Sequence, residues 1–127
     1  MFKLAITLSF VFISLGAMGA SAQSLSGPQK NAVRSATGYL DMTGFSRDGL
    51  IAQLSSSYGD GYSVSDATAA VDSLSVNWDA QAVRSAQQYL SLMGFSCSGL
   101  IKQLSSDAGD KYTVSQATYG AQQSGAC

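Results

Sequence analysis

Apolar residues along the chain recur mostly at intervals of three and four. Ala32, Val33, Ala36, Tyr39 and Leu40 fall on one helical face, as do Leu50, Ile51 and Leu54, and then Ala67, Ala70, Val71 and Leu74. No run alternates with period two for the length of a strand. The pattern predicts three short helices in this stretch. Ser26-Gly27-Pro28 opens the first, with Pro28 where its missing N–H costs nothing. Gly44 stops it. Ser46 caps the second, with Phe45 before the cap placed to pack on Leu50 four residues inside. Gly59-Asp60-Gly61 reads as a turn. Ser65 is the expected cap of the third, after a short extended connection.

The same plan then repeats. Ala32-Val33-Arg34-Ser35-Ala36 returns as Ala82-Val83-Arg84-Ser85-Ala86, and Gly44-Phe45-Ser46 as Gly94-Phe95-Ser96. Gly49-Leu50-Ile51 returns as Gly99-Leu100-Ile101, and Gln53-Leu54-Ser55-Ser56 as Gln103-Leu104-Ser105-Ser106. The offset is 50 without a gap, and 24 of the 42 positions from Ala32 to Ser73 are identical to their counterparts. Chance does not produce that agreement, so the chain carries an internal duplication. Asn77, Ser96 and Ser115 are the expected caps of the second set. A unit of this size is near the limit for folding alone, because it buries too little of its surface. The connection from Ser73 to Val76 is too short for a flexible linker. The expectation is an all-α chain of two tandem three-helix units in a compact or gently bent pair.

The first residues follow a different logic. Lys3 gives one charge, Leu4 to Leu15 is apolar, and Ala20-Ser21-Ala22 has the small-x-small form that signal peptidase reads. The expected division is residues 1–22 as signal peptide, with cleavage between Ala22 and Gln23, residues 23–75 as first repeat and 76–127 as second. An uncleaved N-terminal anchor is the alternative, and it is the one route by which this reading reaches a membrane. No Cys precedes Cys97, so the lipid-attachment Cys of a lipoprotein signal is missing. The expected location is secreted, periplasmic or at the cell surface, without a lipid anchor.

Composition narrows function mainly by exclusion. The 127 residues carry a formal charge of -1, and a pI near 4.9 gives no basic excess for phosphates. There is no His and no Glu, so the commonest general base and a common metal ligand are missing. Most Ser residues stand at caps or turns. Asp107 and Asp110 flank Gly109, but the spacing does not fit an EF-hand loop. No enzyme activity, metal or cofactor is expected. Cys97 and Cys127 are read as an intramolecular disulfide tying the tail to the second unit, with free thiols or a disulfide dimer as alternatives. Arg34 and Arg84 recur within the apolar face of the first helix of each unit, where a structural role is expected, with the stem packed and the head on an Asp or a carbonyl. The recurring Tyr and Phe residues read as core. Trp78, Tyr58 and Tyr119 have no aromatic counterpart in the other repeat, which makes them candidates for a partner surface or the inter-unit contact. Positions that differ between the halves map the solvent side. They add Lys102, Asp107 and Lys111 to the candidate partner surface.

The motif A-x-x-S-A-x-x-Y-L-x-x-x-G-F-S-x-x-G-L-I-x-Q-L-S-S-x-x-G-x-x-Y-x-x-x-x-A stands at Ala32–Ala67 and again at Ala82–Ala117. It resembles the Ltp-type repeat, the host cell surface-exposed lipoprotein family. The Asn77-Trp78-Asp79 opening is similar to the same repeat. The resemblance implies helix-turn-helix-like repeats outside the cytoplasm. Some members of that family are prophage-encoded and act in superinfection exclusion by blocking DNA injection. It brings no catalytic residues. The missing lipid-attachment Cys departs from the family pattern and puts the anchor in doubt. The resulting expectation is a binding protein whose partner is another protein, from the envelope or from phage. The alternatives are a structural or host-facing surface module and, opposed by charge and export, a DNA-binding protein.

Overall fold

The computed structural model describes residues 24–127. The segment 1–22 expected to be a signal peptide, with its expected cleavage point between Ala22 and Gln23, lies outside the described residues. Six helices and no strands are present among the described residues. The first repeat holds α1 (Gly27–Met42), α2 (Arg47–Ser55) and α3 (Val64–Asp72). The second holds α4 (Trp78–Leu92), α5 (Cys97–Ser105) and α6 (Val114–Gln123).

Local side chains set the helix starts. Ser26 accepts from the Gln29 amide, and the Gln29 side chain returns to the Ser26 amide, closing a capping box in front of Pro28. Ser46, Asn77 and Ser96 each accept from the amide three residues on. The third helix of each repeat departs from expectation. Its caps are Ser63 and Thr113, two residues before the expected Ser65 and Ser115. Ser63 accepts from Asp66 N at 3.0 Å, and Thr113 forms a full capping box with Gln116. Asp66 adds a negative charge to the first turn, where the helix dipole favours it. Val64 and Val114 therefore open the helix as exposed residues, and Leu74 lies beyond the end of α3.

Each repeat has its own core. In the first, Ala36, Leu50, Leu54, Ala67 and Val71 are fully buried, with Tyr39, Phe45 and Tyr62 packed around them. In the second the set is Ala82, Ala86, Leu100, Leu104, Tyr112, Ala117 and Ala121. Alanines dominate the facing sides of the first and third helices, so the backbones approach closely. Gly120 is the extreme case, since a Cβ there would lie 2.7 Å from the Ala82 carbonyl. Tyr39–Phe45 and Tyr89–Phe95 stack edge-on at 5.7 and 5.6 Å. Paired hydrogen bonds recur as well: Gln53 donates to Tyr39 and Gln103 to Tyr89, while Ser35 bonds Tyr62 and Ser85 bonds Tyr112.

Both repeats clamp the start of the second helix to the chain that ends the third, by different chemistry. Arg47 reaches Asp72 through two hydrogen bonds of 2.7 and 2.9 Å. At the position equivalent to Arg47, Cys97 is joined to Cys127 by a disulfide.

Candidate functional site

The connection between α1 and α2 lies against the second repeat. The Thr43 hydroxyl donates to Gln88 Oε1 at 2.7 Å, and the Gly44 amide donates to the same oxygen at 3.2 Å. The Phe45 amide donates to Gln81 Oε1, and the Ser46 hydroxyl to the Asp110 carbonyl. From the other side, Arg84 donates to the carbonyls of Leu40 and Asp41 at the end of α1. Gly44 is required here: a Cβ on it would meet Ser85 Oγ at 2.5 Å and Ser85 N at 2.9 Å.

A crevice of about 400 Å³ follows this seam, lined by Thr43, Gly44, Ser85, Gln88, Leu92 and Asp110 among others. Asp110 is its most unusual group. Its Oδ1 accepts from the Tyr89 hydroxyl at 3.0 Å, while its Oδ2 is buried with no hydrogen-bond partner in the protein. Desolvation raises the Asp110 pKa above the ordinary carboxylate value, partly opposed by the bond from Tyr89. Burial raises Tyr112, and burial with the neighbouring Asp110 raises Tyr89. These groups hold one another in place. The seam offers no nucleophile beside a base oriented by a third group, the geometry that covalent catalysis needs. Among the described residues no cluster of His, Cys, Asp or Glu could hold a metal.

The six residues singled out as a partner surface are scattered. Trp78 is half-buried at the start of α4 and packs, with Leu74, against the core of the first repeat. It thus serves the contact between units. Tyr58 is fully exposed on the turn before α3, and Tyr119 is 42% exposed on α6. Lys102 and Asp107 are exposed on α5 and the turn after it. Lys111 is half-buried, lines a second inter-repeat crevice and has φ 60, a left-handed conformation that Gly61 adopts in the first repeat. The inter-repeat contacts of Gln81, Gln88 and Thr43 went unread in the sequence. One signal was present. Thr43 and Gln88 become Met93 and Gly38 in the other repeat, so both sides of one bonded pair change together.

The model of the host cell surface-exposed lipoprotein (Ltp) family matches residues 28–74 and again 77–123. The chain belongs to this family. Its solved relatives include Ltp, a superinfection exclusion protein from the Streptococcus thermophilus temperate phage TP-J34. The two are 28% identical with a TM-score of 0.68, over 77% of this chain and 96% of that one. No curated protein matches the chain. The two family matches coincide with the two helical repeats. The family description fits the disulfide, a bond that persists in oxidising compartments. No helix among the described residues is long and apolar enough to cross a membrane.

Proposed function

We propose that this chain acts in superinfection exclusion, outside the cytoplasm and without catalysis, by binding a protein that an incoming phage needs for DNA injection. The observation that carries the reading is the likeness to phage Ltp, which spans nearly all of that chain at 28% identity. A protein partner fits the surface better than a nucleic acid does. The chain is acidic overall, whereas duplex DNA requires Lys and Arg to displace its counterions. Exposed Tyr58 and Tyr119 are aromatic side chains of the type that protein interfaces favour. The N-terminal segment is read as a cleaved signal and the mature protein as not lipid-anchored. Incorporation of labelled fatty acid would overturn that part alone.

The experiment is expression of the full chain in a phage-susceptible host. Adsorption and delivery of phage DNA are then measured separately over a phage panel. Normal adsorption with loss of DNA delivery for at least one phage is the expected result. Unchanged delivery for every phage would refute the proposal, and loss of adsorption would point to receptor masking instead.

A further inference from the structure

The two repeats carry the same turn and the same groove, but among the described residues only one of each is used. The turn Thr43-Gly44-Phe45-Ser46 sits on the groove formed by Gln81, Arg84, Ser85, Gln88 and Asp110. Fifty positions away, the turn Met93-Gly94-Phe95-Ser96 of the second repeat touches nothing equivalent. Ser46 is buried and Ser96 exposed, and Gly44 is half-buried and Gly94 exposed. The groove of the first repeat is equally bare. Arg34, Gly38 and Asp60 are exposed where Arg84, Gln88 and Asp110 are half-covered, and Ser35 is less buried than Ser85. An open hollow of about 280 Å³ remains there, lined by Ser35, Gly38, Tyr39, Met42 and Asp60.

We infer that the turn Met93–Ser96 of one copy docks on the Arg34–Gly38–Asp60 groove of a second copy, building a head-to-tail stack. The geometry of the intramolecular seam supplies the template. Arg34 of the groove copy takes the place of Arg84 and reaches the Leu90 and Ser91 carbonyls of the copy that supplies the turn. Ser96 takes the place of Ser46 and donates to the Asp60 carbonyl. Thr43 and Gln88 are replaced by Met93 and Gly38, so a long apolar side chain on the turn meets a missing side chain on the groove. Met93 is 61% exposed in the single chain, and a Cβ on Gly38 would have no neighbour within 4 Å. Gly94 supplies an independent argument. Its φ is not in the left-handed region and a Cβ on it would meet nothing, so the single chain has no need for glycine there. Docked as Gly44 is docked, it would need to be glycine. A contact between two different surfaces propagates until it closes into a ring, as in repeat arrays.

The test is sedimentation of the intact protein recovered from its host, from dilute solution up to about 1 mM, the weak end of specific association. Two variants block one side each. Gly94→Leu spoils the turn and Gly38→Trp fills the groove, and both positions are open in the single chain, so circular dichroism should stay unchanged. The wild type is expected to rise in mass with concentration beyond the dimer. Each variant alone should remain a monomer, and an equimolar mixture should form a one-to-one dimer and stop. A wild type that stays monomeric throughout would overturn the inference. So would association that survives either substitution, or a mixture that fails to pair.

Discussion

Replacing Gly44 with Ala is a local test of the seam, because Gly94 provides a control followed by the same Phe-Ser pair. The new Cβ would lie 2.5 Å from Ser85 Oγ, 2.9 Å from Ser85 N and 3.0 Å from the Gln81 carbonyl. Two of these atoms are α4 backbone. The third is held by a buried 2.7 Å bond to Tyr112, so it cannot swing aside freely. The turn must lift instead. Overpacking of this kind costs about 1–3 kcal/mol. Lifting also loosens the bonds from Thr43 and Gly44 to Gln88, each worth about 0.5–1.5 kcal/mol net. Alanine returns about 0.4–1 kcal/mol by restricting the unfolded chain. With those two bonds weakened by about half and not lost, the balance is a loss of about 2 kcal/mol. For a domain near 100 residues this lowers Tm by roughly 8–16 °C, at about 4–8 °C per kcal/mol. Gly94→Ala meets nothing within 4 Å and should raise Tm by a few degrees. Thermal and urea unfolding in dilute solution, followed by circular dichroism, measures both. Equal shifts at the two glycines, or a Gly44→Ala protein as stable as wild type, would refute the account of the seam.

Replacing Cys97 and Cys127 with Ser opens a loop spanning 30 positions and should cost roughly 3–4 kcal/mol by chain entropy, with hydrogen exchange rising first in the second repeat. Asp110→Asn should stabilise the protein at neutral pH. The Asp110 pKa is raised on folding, so the native state holds its proton more tightly, and stability falls as pH rises from about 3.8 through the folded pKa. That slope should flatten in the variant, as pH-dependent urea unfolding would show, and an unchanged slope would contradict the burial argument. Asp72 is the opposite case. Its hydrogen bond from Arg47 lowers its pKa, so its contribution is present above about pH 3.8 and is lost as pH falls through the folded value. The pair is exposed, and Asp72→Asn should cost no more than about 1 kcal/mol in equilibrium unfolding.

Much of the fold was legible because its determinants are local. The buried Ala32, Ala36, Leu50 and Leu54 recur at helical spacing, and the Ser46 cap with Phe45 before it marks a helix start without reference to anything distant. The third helix was misread by two residues because Ser63 and Ser65, like Thr113 and Ser115, are both good cap residues. Side-chain reach to the amide three residues on chose between them, with Gln116 completing the box in the second repeat. The candidate surface was less legible. Trp78 fits either a partner surface or the inter-unit contact by sequence and serves the second, whereas Lys111, which stands where the first repeat has Gly61, lines a crevice between the repeats.

The sequence by itself determined six capped helices, their cores and the duplication, since periodicity and capping act within a few residues. Only the tertiary structure decided which copy of each shared motif is covered. Gly44-Phe45-Ser46 and Gly94-Phe95-Ser96 are identical in sequence and lead into helices capped alike. The first is held against Gln81, Gln88 and Asp110, while the second faces solvent. The difference is that the second repeat packs on the first turn, while none of the described residues packs in that way on the second. Burial depends on that neighbour and not on the residues of the turn.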